Sequence, residues 1–427
     1  MKDGNQQDVG GTVGQSDADG PDDGAVVSVE EERAALWEQA RSLAGEEDIL
    51  GALHADMTQR GLAGSTQLAE LAYVDTTSRL LPSPASLVIK GESAAGKNTQ
   101  VEYALDYMPA SAYVKRTATS PKALYYSQDS YKHRMIVVLE ATALDEGEFP
   151  HIVRTLLSEG RLYYEFTDFE ARTTRIVEKE GPTGLITTTT RQRLEPELET
   201  RILSVWVPDT AEQTDAVMDA VAQRFEGDER PDVDPGWVAL QRWLELADHS
   251  VVVPFARVLA RLVPPVAVRL RRDFTAVLTR TSAHALLHQA SRARDDRGRI
   301  VATPADYAAA HRLIATSLSD VIERTVPAKL RETVEVVEAL AEKRGNVILP
   351  TIPEVAAALD MHRTSASRRI REAVDAGFLE EVPLDPGSRH RRGTKGFRVG
   401  EAMPEDRPLL PAPQQLEKAW ERESPVA

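Results

Sequence analysis

Short apolar runs alternate with segments of helical periodicity between residues 85 and 209. Each run has four to seven residues, the length of a buried strand, and segments such as Thr99–Tyr107 and Phe149–Ser158 lie between them with a helical pattern. Alternating buried strands and helices predict a parallel sheet covered on both faces, which is a three-layer α/β core. The five predicted strands are Ser86–Lys90, Ala112–Arg116, Arg134–Glu140, Leu185–Thr190 and Ser204–Val207.

The pattern changes on both sides of this core. Arg161–Lys179 breaks the alternation and is typical of a β-hairpin. Helical periodicity dominates the flanking segments, and the first residues have no apolar period and are expected to be disordered. The predicted divisions are a disordered leader (1–28), a helical region (29–84), the α/β core (85–209), a helical segment (210–327), a further unit (328–400) and a tail (401–427).

The unit at 328–400 has the pattern of a winged helix-turn-helix. A helix over Ile352–Leu359 is followed by a turn and by a second helix over Thr364–Ala376. The stretch Phe378–Val399 then predicts a hairpin with a basic tip. In this arrangement the second helix is the one that enters the major groove of duplex DNA.

Composition adds limits to this picture. The 427 residues include no cysteine, which excludes disulfides, zinc ribbons and cysteine nucleophiles and fits a reducing cytoplasm. The net charge is −16, but residues 1–48 alone carry thirteen acidic and three basic side chains, so local basic patches elsewhere can still contact phosphate. No apolar run reaches the roughly 18 to 20 residues of a membrane span, and the N-terminus has no secretory signal pattern. We therefore expect a cytoplasmic protein without a membrane partner.

The segment GESAAGKN follows the first strand and has the spacing G-x-x-x-x-G-K. Glycines let backbone N–H groups face phosphate oxygens, the next helix points its positive end at them, and Lys97 reaches the β- and γ-phosphates. This predicts binding of ATP with Mg²⁺. Asn98 stands where a serine or threonine usually binds magnesium, and its amide oxygen can also ligate the cation. The predicted nucleotide contacts are Gly91, Glu92, Ser93, Ala94, Ala95, Gly96, Lys97, Asn98 and Thr99.

Three further features follow along the core. Glu140 ends the strand MIVVLE, where a carboxylate can polarise the attacking water and help hold magnesium. Thr189 or Thr190, in the run ITTTT, is placed to contact the γ-phosphate or that water. Arg201 precedes the last strand, from where an arginine can reach the γ-phosphate of a neighbouring subunit.

The order of loop, acidic strand, hairpin, threonine strand and arginine resembles an AAA+ ATPase over about residues 65 to 320. The hairpin is similar to the pre-sensor hairpin of the branch that includes the MCM helicases, and the whole resembles ATPase modules of phages and mobile elements. The resemblance implies a Walker A loop at Gly91–Lys97, a Walker B glutamate at Glu140, sensor 1 at Thr189 or Thr190 and an arginine finger at Arg201. It also implies a helical lid that contributes Arg272 to the nucleotide, and a homo-oligomeric ring. Leu139 departs from the pattern, since an aspartate is common there.

Nucleic-acid contacts are predicted on two elements. In ring ATPases of this branch the hairpin faces a central pore, where basic side chains grip a phosphate backbone. Exposed arginines of the second C-terminal helix and of the wing suit duplex DNA. The predicted DNA contacts are Arg172, Arg175, Lys179, Arg368, Arg371, Arg391 and Arg392.

Three functions remain open at this point. The first is an AAA+ motor on DNA, helicase-like or loader-like in the replication of a mobile element. The second is a DNA-binding transcriptional regulator with an ATPase switch, and the third is a protein-remodelling or defence ATPase. The chain has no recognisable primase or zinc module, so any priming would come from a partner protein.

Overall fold

A computed structural model gives the architecture of the chain. It describes residues 28–116, 127–140, 149–168, 173–192, 194–199, 201–207, 210–227, 230–263, 270–325, 328–345, 348–384, 395–400 and 409–423. The strands are β1 (Leu87–Lys90), β2 (Tyr113–Arg116), β3 (Arg134–Val138), β4 (Arg161–Asp168), β5 (Thr173–Glu180), β6 (Thr183–Thr189), β7 (Leu203–Trp206), β8 (Val251–Val252), β9 (Ile300–Val301), β10 (Leu379–Pro383) and β11 (Lys395–Val399).

The described helices run from the N-terminal region to the tail. They are α1 (Val29–Ala44), α2 (Ile49–Gln59), α3 (Gln67–Thr77), α4 (Lys97–Asp106), α5 (Phe149–Glu159), α6 (Pro196–Glu199), α7 (Ala211–Glu226), α8 (Pro235–Glu245), α9 (Ala256–Leu262), α10 (Leu270–Leu287), α11 (Pro304–Thr325), α12 (Ala328–Glu342), α13 (Ile352–Ala358), α14 (Arg363–Asp375) and α15 (Pro413–Glu423). The first of them begins with a capping box, which Ser28 and Glu31 form.

Five parallel strands form the central sheet in the order β2-β3-β6-β1-β7. These are the five strands predicted from the apolar runs, so that prediction is confirmed. The strand β6 lies between β1 and β3, with Lys90 opposite Thr189 and Val138 opposite Thr187. Because parallel strands end at the same edge, the carboxyl ends of β1, β6 and β3 meet there.

The sheet is covered on both faces, as a three-layer core requires. On one face, Val88, Ile136 and Leu185 pack with residues of α5 and α6 such as Leu156 and Leu198. The alternate side chains of the strands join a larger cluster on the other face, which includes α3, α4 and α10. All four residues of β1 and the last four of β3 are buried, which is what a sheet between two helical layers demands.

The larger cluster joins the N-terminal helices to the helices after the sheet. Trp237 on α8 is buried, and Tyr73 and Tyr107 meet its ring edge-on with centroids 6.1 and 5.6 Å away. Asp75 on α3 and Arg280 on α10 form an ion pair in which neither side chain is exposed. The regions predicted as 29–84 and 210–327 therefore share one hydrophobic core with the sheet.

Two smaller parts complete the described structure. The strands β4 and β5 form the predicted antiparallel hairpin, from Arg161 opposite Glu180 to Asp168 opposite Thr173. The helices α12, α13 and α14 pack with the hairpin β10–β11 around a separate core that includes Phe397. After this unit the chain returns, and Trp420 on α15 packs against Phe255 with ring centroids 6.3 Å apart.

Among the described residues, no helix combines the length and the apolar character that a membrane span needs.

Candidate nucleotide site

The loop between β1 and α4 has the curled backbone that a phosphate site needs. Gly96, the N-cap of α4, has φ of 79°, and Ala94 has φ of 65°. Left-handed backbone at Gly96 favours glycine, because a side chain there would be strained even in open space. Gly91 is tightly packed, since an added Cβ would lie 3.4 Å from Cβ of Val207. The loop therefore presents successive main-chain groups and a helix N-terminus to one space.

The side chain of Lys97 is hydrogen-bonded to the first residues of its own loop. This side chain is buried, and Nζ donates to the main-chain oxygen of Gly91 at 2.9 Å and to that of Glu92. A buried ammonium group needs such partners. The loop is thus preformed around the lysine that would meet the phosphates.

A cavity of about 350 Å³ opens directly over this loop, within the range of ligand sites. Most of the predicted nucleotide and sensor residues line it together, although they come from β1, β3, β6 and α4. Its lining residues are Ser93, Ala94, Ala95, Gly96, Lys97, Asn98, Thr99, Glu140, Thr189, Thr190 and Arg191.

Glu140 lines this cavity and has a left-handed backbone conformation. It follows β3 and has φ of 58°, which in a residue with a side chain costs on the order of 1–3 kcal/mol. The main-chain N–H of Glu140 donates to Oγ1 of Thr188 at 2.9 Å, which holds the residue in that conformation. Strained backbone of this kind clusters at functional sites. The position agrees with the predicted role of Glu140.

Thr188 is a site residue that the sequence prediction missed. The predicted residues Thr189 and Thr190 do line the cavity, but Oγ1 of Thr189 accepts from the main-chain N–H of Arg191. Thr188 instead donates from Oγ1 to Oδ1 of Asn98 at 2.7 Å. Arg191 was missed as well. The run of four threonines could have flagged Thr188, but only the register of β6 selects it.

The site fits a nucleotide triphosphate, and it fits magnesium through Glu140 only. Glu140 offers one carboxylate to the cavity, and Mg²⁺ commonly uses one or two carboxylates with phosphate oxygens and water. Asn98 turns its oxygen to Thr188, and its Nδ2 donates to Oε1 of Glu140 at 3.3 Å. As placed, Asn98 does not fit the ligand role predicted for it. Within the described part of the chain, no three His, Cys, Asp or Glu side chains could hold a metal ion.

A second cavity of about 460 Å³ adjoins the phosphate loop and shares Ser93–Gly96 and Thr99 with the first. On its far side lie Val217, Met218 and Val221 of α7 and the turn Gly61–Ala63. Gln213 fastens α7 to this turn, because Nε2 donates to the oxygen of Ala63 and Oε1 accepts from Ser65. An apolar slot next to a phosphate loop suits the flat base of a nucleotide.

Arg201 and Arg272 lie together in a third cavity of about 290 Å³, which Ser83–Ser86 also lines. These four residues precede β1, whereas the phosphate loop follows it. The four residues of β1 span about 13 Å and separate this cavity from the loop. The structure thus places Arg272 away from the phosphate loop of its own chain. Burial and the nearby guanidinium groups of Arg272 and Arg154 lower the pKa of Arg201.

Lys179 was predicted to contact DNA, but in the structure its side chain is bonded within the protein. It pairs with Leu162 near one end of the hairpin, six residue pairs away from Asp168 and Thr173 at the other end. Its Nζ donates to the main-chain oxygens of Ser127 and Asp129, the latter at 3.1 Å, and lies over the ring of Tyr131. Its ammonium group is therefore held by the core.

The other predicted DNA contacts divide by location. Arg368 and Arg371 are exposed on α14. Arg175 lies on β5 opposite Phe166. Arg172, Arg391 and Arg392 lie outside the described residues.

The preformed loop, the buried lysine and the carboxylate at the end of a neighbouring parallel strand define a P-loop nucleoside triphosphatase domain. Residues 45–242 match the family model described as the MTBMA_p00010 P-loop domain. No curated protein matches the chain. The family match spans the phosphate loop and the whole five-stranded sheet, and it ends within α8.

Proposed function

We propose that this chain is an ATP-hydrolysing motor of the AAA+ type that acts on DNA, helicase-like or loader-like in the replication of a mobile element. One observation carries the hydrolysis. Lys97 and Glu140 line one cavity, and they follow β1 and β3, the strands on the two sides of β6. This pairs a phosphate-binding cation with a carboxylate that can orient water.

In the proposed reaction the loop N–H groups and Lys97 hold the β- and γ-phosphates. Glu140 orients the water that attacks the γ-phosphate, and its position at a strand end keeps it at the far side of the cavity. A bound magnesium ion would neutralise charge on the phosphate oxygens. The apolar slot beside α7 receives the base, which supports a nucleotide rather than a free polyphosphate as the substrate.

The arginine cavity supports a site shared between subunits. Arg201 and Arg272 line a cavity with residues that precede β1, and the strand separates those residues from the phosphate loop of the same chain by about 13 Å. Burial, followed by the nearby charges of Arg272 and Arg154, lowers the pKa of Arg201, and a neighbouring subunit's phosphates would favour its charged form. We therefore assign both arginines to the nucleotide of a neighbour in a homo-oligomeric ring.

The C-terminal unit supports DNA as the partner. Three helices and a two-stranded hairpin around a small core have the composition of a winged helix-turn-helix. Arg368 and Arg371 are exposed on the helix that would face the duplex, and guanidinium groups are well suited to phosphate.

Steady-state ATP hydrolysis, measured with and without single-stranded and duplex DNA, tests the proposal. Lys97→Ala protein is the blank, because it lacks the cation that meets the phosphates. We expect hydrolysis that DNA stimulates and that the blank lacks. Hydrolysis that Lys97→Ala does not remove would contradict the assignment of the site.

Mixing two inactive variants tests the shared site. Arg201→Ala protein supplies an intact Lys97, and Lys97→Ala protein supplies an intact Arg201. With random assembly about one quarter of the interfaces contain both residues, so activity should return on mixing. Mixtures no more active than either parent would contradict a site built across subunits.

A DNA-binding regulator with an ATPase switch is the second candidate. It is favoured by Lys179, which the core holds at the base of the hairpin, while the arginines of α14 remain exposed. This function predicts duplex binding with sequence preference and hydrolysis that DNA does not stimulate. A duplex-binding selection followed by the hydrolysis assay separates the two functions.

A further inference from the structure

Three residues, Asn98, Glu140 and Thr188, form a closed ring of hydrogen bonds at the edge of the nucleotide cavity. The hydroxyl of Thr188 donates to Oδ1 of Asn98 at 2.7 Å and accepts from the main-chain N–H of Glu140 at 2.9 Å. Nδ2 of Asn98 donates to Oε1 of Glu140 at 3.3 Å. The ring joins β6, the first turn of α4 and the residue that ends the acidic strand.

Donor and acceptor chemistry fixes the direction of each bond in the ring. A main-chain N–H only donates, so Thr188 receives the bond from Glu140 and keeps its own proton for Asn98. An ionised carboxylate only accepts, so Asn98 has to turn its NH₂ group towards Glu140. Its oxygen is then left for Thr188. The orientation of the amide is therefore set by both neighbours.

We propose that Asn98 and Thr188 are positioning residues for Glu140, and that Asn98 is not a magnesium ligand in this chain. Asn98 stands where a metal-binding hydroxyl is expected, but it presents a donor to the carboxylate and its oxygen to a threonine. Glu140 also has a left-handed backbone, with φ of 58°, that the bond from its N–H to Thr188 stabilises. Both contacts aim the same carboxylate, so the ring holds Glu140 for the attacking water.

The inference rests on the proposed ATP hydrolysis, and its first test uses the threonines of β6. Thr187 and Thr188 are both fully buried, but the hydroxyl of Thr187 donates to the main-chain oxygen of Val138 at 2.8 Å. Thr187→Val therefore removes a buried hydroxyl without touching the ring. It is the matched control for Thr188→Val, and Thr188→Ser restores the hydroxyl.

We expect Thr188→Val to lower kcat by about 100-fold with KM for ATP unchanged, the size typical of a misplaced catalytic group. Thr188→Ser should regain most of the lost kcat, and Thr187→Val should keep a kcat close to that of the wild type. Asn98→Ala should resemble Thr188→Val, and the double variant should be about as slow as either single variant, because both residues act through Glu140. A kcat for Thr188→Val equal to that of Thr187→Val would overturn the proposal.

The second test needs no hydrolysis. The affinity for a fluorescent ATP analogue is measured in Mg²⁺ and again in excess EDTA, and the ratio reports how much the metal contributes. If Asn98 is not a ligand, Asn98→Ala changes this ratio no more than Thr188→Val does, because both variants act on the metal only through Glu140. A fall in the ratio for Asn98→Ala about tenfold or more beyond that of Thr188→Val is expected of a lost ligand and would overturn the proposal. Wild-type protein without Lys97-dependent hydrolysis would reject the proposed function, and the affinity ratio would still decide the role of Asn98.

Discussion

Charged residues have different surroundings in the nucleotide cavity and in the helical body, which is the group of helices, including α3, α10 and α11, that shares the larger core with the sheet. Lys97 and Glu140 line a cavity that a ligand can enter, although each also has a partner within the protein. Behind the sheet, Asp75 and Arg280 pair with neither side chain exposed. The difference is access: a ligand can reach the first pair of charged residues, whereas the second pair is enclosed by the protein and contributes to packing.

The helical body repeats this arrangement at a second buried carboxylate. Asp306 accepts from Arg292, from Nδ1 of His284 and from the main-chain N–H of Thr303. Burial alone would raise the pKa of Asp306, but the bonds from His284 and Arg292 outweigh it and hold that pKa below its usual range. Variants in the two regions should therefore separate activity from stability.

The largest expected effect is on activity alone. Glu140→Gln keeps the size of the side chain but removes the carboxylate that orients water, so kcat should fall by about 10²- to 10⁴-fold. ATP affinity measured in EDTA and the melting temperature should not change. Steady-state kinetics measures kcat, and thermal denaturation measures the melting temperature. Glu102→Gln on the exposed face of α4 is the control. A Glu140→Gln protein with wild-type kcat would contradict the assignment of Glu140 to the hydrolysis reaction.

The next effect is on stability alone. Arg280→Met leaves Asp75 charged and buried, which should cost about 3–5 kcal/mol in the free energy of unfolding. Replacing both partners, as in Asp75→Leu with Arg280→Met, should restore much of that loss because no buried charge remains. Urea denaturation measures each variant. A single variant as stable as the wild type would show that the pair is not the structural counterpart described above.

A smaller effect depends on pH. Burial, followed by the charges of His284 and Arg292, lowers the pKa of His288 to about 3, while Asp306 and Asp48 oppose the shift. The unfolded chain takes up this proton near pH 6.5 and the folded chain only near pH 3, so stability falls as the pH drops between these values.

His288→Leu should remove that dependence, which amounts to about 1.4 kcal/mol per pH unit for one proton. Denaturation midpoints between pH 6.5 and 4.5 test this above the range in which Asp306 takes up its proton. The exposed His54 provides the control variant His54→Gln. An acid slope that His288→Leu leaves intact would assign the titration to other groups.

The smallest effect concerns DNA. Arg371→Ala on α14 should lower the slope of log affinity for duplex DNA against log salt by about 1, as the loss of one phosphate contact does. Lys179→Met should leave that slope unchanged, because the core already holds its ammonium group. Equal losses for the two variants would contradict the distinction between exposed and internally satisfied cations.

Features that depend on neighbouring residues were predictable from the sequence. The strand, the glycines and Lys97 are consecutive, so the phosphate loop and β1 could be recognised together. The five strands of the sheet and the hairpin β4–β5 were found for the same reason. Local pattern also singled out Glu140, which in the structure lies two residues after β3 and lines the cavity.

Features that depend on distant partners were not predictable. Whether Thr188 or Thr189 meets Asn98 is decided by the register of β6, and shifting a strand by one residue exchanges its faces. Lys179 is held by the main chain some fifty residues earlier, at Ser127 and Asp129. Arg272 lies with Arg201 only because α10 packs behind the sheet. No local pattern contains this information.

The return of the chain at α15 has a mechanical consequence. The unit from α12 to β11 is preceded by α11 and followed by α15, and both of these helices pack into the main body, where Oη of Tyr307 donates to the oxygen of Pro411 at 2.6 Å. A part attached at one point can swivel freely, whereas a part attached at two points resists rotation. If this unit binds a duplex as proposed, torque on the DNA would pass into the part of the protein that contains the nucleotide cavity.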